Sequence, residues 1–390
     1  MGSSGDLVGY IASRTWPARL LGAALSVLLV AGCSDRQHNE EPPPSIEQAD
    51  IEYAPANADP ALAAAHRMAL TTRQELCAAS SVLESQVAEF MQSPSRAGLG
   101  SAREAWRTAH QNWQLWRRLL LTAGLDESDT AHPMIDVEPI LPGYLDSVPG
   151  YPISGLVYSE VPLDPQALAD EHLSTDLYYV VLGFHPLEFM LWGAPDEDGK
   201  PTRKATAFEP ASHADADTVP AADRRRTLTQ SMAGLLQLAV EEHCAPTVPL
   251  PDLSGLAMLF ATEGKPPTAI GRRDLLVAWL DELAQTLARW RSQPSGEDNN
   301  GMPLWHSAFA RTDFTELDAE WSWLMRHFWP EAGPDVSAAK RLGLSLRNLA
   351  EAEPAAPGLD DISATRDAAM ALAQTLTGNA SSASKKDLVQ

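Results

Sequence analysis

The chain has 390 residues and a formal net charge of −23, from 52 acidic and 29 basic side chains. Such a surface disfavours nucleic acid, and it disfavours anionic membrane contact beyond any covalent anchor. It attracts cations only weakly and without selectivity, and it first of all keeps a solvated protein soluble.

Arg14 and Arg19 precede an apolar stretch from Leu20 to Val30, which runs into Val30-Ala31-Gly32-Cys33. The stretch is too short to span a bilayer, so residues 1–32 read as a targeting segment. A small-residue run ending in Cys33 resembles the bacterial lipobox, which implies cleavage before Cys33 and lipid on its thiol and amine. A simple secretory signal containing a cysteine is the alternative. In such lipoproteins Asp after the cysteine favours inner-membrane retention. Ser34 therefore points to the periplasmic face of the outer membrane. Loss of Asp6, Arg14 and Arg19 with the leader takes the net charge from −23 to −24. Residues 33–58, with Pro43-Pro44, read as a flexible tether. Cys77 and Cys244 then remain as candidates for one disulfide in an oxidising compartment, with two free buried thiols as the alternative.

The remainder, about 315 residues, suffices for one large or two ordinary domains. It reads helical almost throughout, with no alternating run of β-branched residues. A first helix is expected over Asp59 to Gln92, ending at Ser93-Pro94. A second runs from Gly100 to Ala123, with Ala102, Trp106, Ala109, Trp113, Trp116 and Leu120 in one core stripe. Residues 126–173 are irregular and too long for an ordinary connection. A buried helix follows from Ser174 to Trp192, then a polar insert at 194–222. Further helices are expected near 223–243, 253–262, 272–292, 314–328, 335–353 and 360–377, and residues 378–390 read as a disordered tail. A faint internal echo links Ala102 to Trp113 with Ala278 to Trp290. The expected fold is all-α: two four-helix-bundle-like halves over 59–222 and 223–377, with long irregular loops.

Within the buried helix lies Gly183-Phe184-His185-Pro186-Leu187-Glu188-Phe189-Met190-Leu191-Trp192-Gly193. An ionisable pair in so apolar a run costs several kcal/mol, roughly, unless it is hydrogen-bonded or bound to a metal. Three residues apart on a helix, His185 and Glu188 share a face and both suit a cation. Pro186 should kink or restart the helix there. The bland alternative makes His185 an N-cap and Glu188 the third residue of a capping box.

The run resembles the Gly-x-His-x-x-Glu signature of imelysin-like proteins. The blocks Asp198-Gly199-Lys200-Pro201, Arg224-Arg225 and Ala102 to Arg107 are similar in order, so the likeness covers most of residues 60–350. Two departures stand out. Ile140-Leu141-Pro142 replaces an Asn-x-Trp-Pro element, and Gly343 to Asn348 matches an Asn and Gly-Asp loop only partly. The resemblance implies an exported, often lipid-anchored protein of two helical halves. It also implies a metal-linked site at the His–Glu motif and a link with iron uptake beside a membrane partner.

Two ligands are too few for zinc or iron. Asp136 and Glu138 from the irregular segment are the first candidates to join His185 and Glu188. Arg103 and Tyr144 are candidates to orient a carboxylate from outside. A zinc peptidase would need a third ligand from His132, His243, His306 or His327. His243 at a helix end has an ordinary dipole explanation, and His306 and His327, among Trp305, Trp321, Trp323 and Trp329, read as edge-of-core histidines. No His-Glu-x-x-His or Gly-x-Ser-x-Gly motif is present. The readings are thus a protein that binds or hands on iron or another divalent metal, a zinc peptidase, or a binding module with a structural motif.

Overall fold

A computed structural model describes residues 59–390, apart from 127–129, 131, 197–199, 211–219, 245–248, 262–267, 293–305, 330–335, 353–356 and 388–390. For 268–270 and 378–387 only the backbone is described. The expected leader at 1–32, Cys33, the expected tether at 33–58, Asp198 and Trp305 lie outside the described residues.

Among the described residues the chain is all-α, with eleven helices and no strand. Helix α1 (Pro60–Gln92) starts where Asp59 accepts from the Ala61 N–H and Pro60 takes the first turn. Helix α2 (Arg96–Ala123) starts four residues before the expected Gly100, because Ser95 caps it through the Gly98 N–H. Gly124, at φ 101°, ends it in the left-handed region. Trp106, Trp113 and Trp116 are buried as the stripe predicts.

The irregular segment holds two short helices, α3 (Pro142–Leu145) and α4 (Pro165–Glu171), with a 3-10 turn at Leu156–Tyr158 between them. The helix expected from Ser174 is confined to α5 (Phe184–Trp192). Upstream, the Asp176 side chain accepts from the Tyr178 N–H, and His172 Nδ1 accepts from the Val181 and Leu182 N–H groups. Those side-chain bonds take the place of a helical ladder. Pro186 therefore lies in the first turn of a helix that starts at Phe184, where its missing N–H is not needed.

Helices α6 (Ala221–Cys244), α7 (Ser254–Phe260), α8 (Thr268–Ser292), α9 (Asp313–Phe328), α10 (Val336–Ala352) and α11 (Leu359–Asp387) complete the chain. Helix α1 packs along α2, α6 and α7, while α8 packs on α11, and α10 on both α9 and α11. Helix α6 thus packs with the N-terminal group, although the sequence reading puts the second half's start at 223. Its apolar residues Leu228, Met232, Leu235, Leu236 and Val240 are buried, and its last residue, Cys244, is disulfide-bonded to Cys77 of α1 at a Cα–Cα distance of 5.9 Å. Helix α11 continues to Asp387, past the expected end at 377. Over 378–387 the backbone is helical where the sequence reads as a tail, and 388–390 lie outside the described residues. No helix among the described residues is long and apolar enough to cross a membrane.

The site-bearing elements meet between the two groups. Helix α2 touches both α5 and α9, and α5 also packs on α6.

Candidate metal centre

Gly183 shapes the site. At φ 111° it occupies a region that side chains avoid, and a Cβ there would lie 2.7 Å from the Ile135 carbonyl oxygen. The glycine lets the 132–140 segment lie against the start of α5, where the Phe184 N–H donates to that carbonyl at 2.7 Å. Asp136, the next residue, is thereby brought to His185: its Oδ1 is 2.9 Å from His185 Nε2. Helix α2 holds α5 from the other side. Trp106 Nε1 donates to the Phe184 carbonyl near its start, and Arg103 donates to the Leu191 carbonyl near its end.

Two more imidazoles converge on the same carboxylate oxygen. Asp136 Oδ1 is 3.8 Å from His110 Nε2 and 3.6 Å from His306 Nε2. One donor atom from each of His110, Asp136, His185 and His306 lies within 4.8 Å of the others. The other oxygen, Oδ2, accepts from Trp113 Nε1 at 2.8 Å, Gln114 Nε2 at 3.1 Å and Arg117 Nη1 at 3.3 Å. Three donors therefore fix the carboxylate with Oδ1 turned toward the imidazoles.

Each imidazole is held from behind by its own carboxylate. His110 Nδ1 is 2.7 Å from Glu316 Oε1, His185 Nδ1 is 3.2 Å from Glu188 Oε2, and His306 Nδ1 is 3.1 Å from Glu138 Oε1. An Nδ1–H bonded to a carboxylate leaves Nε2 as the ligand atom, which is the usual outer arrangement around metal-bound histidines. Glu316 also accepts from the Thr312 hydroxyl, and Glu188 Oε1 accepts from the Phe309 and Ala310 N–H groups at 2.8 and 2.5 Å. Glu188 thus anchors both His185 and the turn that carries His306.

The pair at 2.9 Å is informative for another reason. Asp136 Oδ1 and His185 Nε2 are both buried, yet neither has an aligned hydrogen-bond partner among the described residues. An acceptor oxygen and a ring nitrogen so close in a buried site need a shared positive charge, which a proton on the ring or a cation bound by both supplies. Three imidazole nitrogens and one carboxylate oxygen suit zinc, iron and similar divalent ions.

Electrostatics agree. Burial opposes charge on His185, but Asp136 and Glu188 outweigh it and raise its pKa to about 9. Burial opposes charge on His110 and His306 as well. Glu316 with Asp136 raises the first, and Asp136 with Glu138 raises the second well above the ordinary value. Asp136 is driven well below the carboxylate range by the three imidazoles, against its burial. Burial and the nearby Glu316 push Asp313 up to about 7. Four carboxylates thus surround three imidazoles, and positive charge is drawn in either as protons or as a metal ion. The Gln114 amide nitrogen sits 3.1 and 2.8 Å from Nε2 of His110 and His306, a contact that suits their neutral rings. The surrounding negative charge acts the other way and favours the protonated ring at all three positions.

Residues 65–390 match the family model Peptidase M75, described as Imelysin. The chain belongs to the imelysin family. No curated protein is similar enough to the chain to count as a match.

For this imelysin-family chain, the structure sorts the residues singled out from sequence. His185, Asp136, Glu188 and Glu138 come together, with His185 and Asp136 among the four converging donors. Glu188 and Glu138 stand behind imidazoles instead. The capping-box alternative does not hold: the N-cap is Gly183, and Glu188 bonds to the 309–310 backbone instead of back to the cap. Arg103 reaches carbonyls at the far end of α5, not a site carboxylate. Tyr144 donates to Glu171 and stacks on Tyr179, also away from the donors. His306 is no edge-of-core histidine, whereas His327 packs beside Trp323 and Phe328 as expected. His243 lies in the last turn of α6 as expected, and burial lowers its pKa against the pull of the helix dipole.

His110 escaped the sequence reading. It falls on the Trp106–Trp113 core stripe, where a single histidine reads as packing. Its position between two tryptophans, four residues after one and three before the other, was the available signal.

Proposed function

We propose that the protein binds one divalent metal ion, iron or a close substitute, on His110, Asp136, His185 and His306 and hands it on during metal uptake. The observation that carries this reading is the convergence of three carboxylate-backed Nε2 atoms on one Asp136 oxygen. All four side chains lie in a part of the chain that matches the imelysin family model. The ion is cargo in this reading. Glu188, Glu316 and Glu138 keep the rings aimed, and Trp113, Gln114 and Arg117 keep the carboxylate aimed. Glu188 is committed through Oε1 to the 309–310 backbone and through Oε2 to His185, a positioning role that favours binding over hydrolysis.

The same proposal takes the Cys33 lipobox at face value. The protein would be tethered by lipid at the periplasmic face of the outer membrane, close to a membrane uptake partner that accepts the ion.

Elemental analysis of purified protein dialysed against Fe2+ or Zn2+ under reducing gas tests the binding. One ion per chain is expected, and it should be lost in His185→Ala and Asp136→Ala while the helical circular dichroism is kept. An unloaded wild type under every condition would sink the proposal. Peptide hydrolysis that the same substitutions abolish would replace it with an enzyme.

A further inference from the structure

The four donors differ sharply in exposure. The side chains of His110, Asp136 and His185 are 0 %, 3 % and 3 % exposed, and His306 is 30 % exposed. An ion must shed its water before reaching so enclosed a set, and something must stabilise it while it does. Glu138 is placed to do this. Its side chain is 48 % exposed, far more than those of Asp136, Glu188 and Glu316 at 3 %, 0 % and 9 %.

Its two oxygens look in different directions. Oε1 lies 3.1 Å from His306 Nδ1, on the outer side of that ring, while Oε2 lies 4.0 Å from His185 Nε2, a ligand atom of the buried set. One carboxylate therefore touches both the mouth and the interior. It follows Asp136 by two residues in an irregular segment, and no helix fixes it. The other two backing carboxylates sit on helices α5 and α9, buried and further bonded.

We infer that Glu138 is the relay carboxylate of this site: it takes a hydrated divalent cation at its exposed edge, beside His306, and passes it to the four donors within, and it returns the ion to solvent by the same route. The inference rests on the proposed metal binding and assigns Glu138 to the rate of exchange instead of the final ligand set. No bond other than metal–oxygen contacts is made or broken.

The test is kinetic. Zn2+ uptake and release by the intact protein are timed by stopped flow with a chromophoric chelator, for wild type, Glu138→Gln and Asp360→Asn. The glutamine keeps an oxygen for His306 but loses the charge. Asp360, exposed at the start of α11, controls for net charge alone. Uptake and chelator-driven release should both slow about tenfold or more in Glu138→Gln; the equilibrium constant should stay within about threefold, because solvent screens the half-exposed Glu138 charge behind His306 in a way it does not screen buried Glu188 and Glu316, and Asp360→Asn should match wild type. Unchanged rates would overturn the relay. So would release that speeds up with a matching loss of affinity, because that marks Glu138 as a resident ligand. A wild type that takes up no Zn2+ would instead remove the metal-binding reading on which the relay stands, an outcome the equilibrium measurement reports separately.

Discussion

Two groups of buried or half-buried histidines behave in opposite ways. His110, His185 and His306 each have a carboxylate at Nδ1 and face a fourth carboxylate, Asp136, with Nε2. His132 and His243 meet edge to face at 5.4 Å, and the nearby Glu242 carboxylate does not offset their burial. His132 Nδ1 instead accepts from the Met134 N–H. Burial, with the neighbouring His243, holds His132 down at about 4, whereas carboxylates lift His185 to about 9. Burial disfavours charge in both groups. What separates them is the supply of fixed negative charge, so cation attraction here comes from the carboxylates behind the rings and not from clustering of histidines.

The strongest way to break this contrast is to remove the shared oxygen. Asp136→Asn should weaken Zn2+ or Fe2+ binding by more than about a hundredfold, beyond the ten- to hundredfold cost typical of an outer partner. Competition with a chelator of known affinity measures it, and a change under about fivefold would refute the placing of Asp136 at the centre. Glu316→Gln and Glu188→Gln come next. Each keeps an acceptor for the ring while losing the charge, and each should cost about ten- to a hundredfold in affinity.

Proton competition separates the groups by pH. With His185 raised to about 9, its ring is protonated at neutral pH in the metal-free protein, so apparent metal affinity should climb from pH 6 to 9. A flat profile would contradict the raised pKa. In metal-free protein the protonated ring contributes stability that is fully present below 6.5 and lost as pH rises through about 9.

His132 has the opposite sign and the smallest effect. Its depressed pKa means the unfolded chain binds the proton first, so stability should fall as pH drops from 6.5 toward 4. His132→Asn retains an acceptor for the Met134 N–H and should flatten that part of the melting-temperature profile. The corresponding substitution at His185 should act between 6.5 and 9 instead.

Much of this architecture was readable from residue types. The tryptophan stripe of α2 and the apolar spacing of α1 follow helical geometry, and the Ser93-Pro94 boundary follows from local backbone limits. His185 and Asp136 were legible because an ionisable residue in an apolar run, or in a long irregular segment, asks for an explanation. His110 was not, since four residues after Trp106 a histidine looks like packing. His306 stands only among four possible zinc ligands and reads as edge-of-core; Glu188 helps to place it by capturing the 309–310 backbone, 121 and 122 residues downstream. Contacts of that range leave no periodic trace. The same blindness made Arg103 and Tyr144 plausible near the site, although their partners are Leu191, Arg203 and Glu171.

The central claim is that the Gly-x-His-x-x-Glu motif supplies one imidazole and that the rest of the chain supplies two more. X-ray absorption of the loaded protein counts them directly. The account predicts scattering from three imidazoles with one carboxylate in the first shell, falling to two imidazoles in His110→Ala and in His306→Ala. A single imidazole in the wild type, unchanged in both variants, would contradict it.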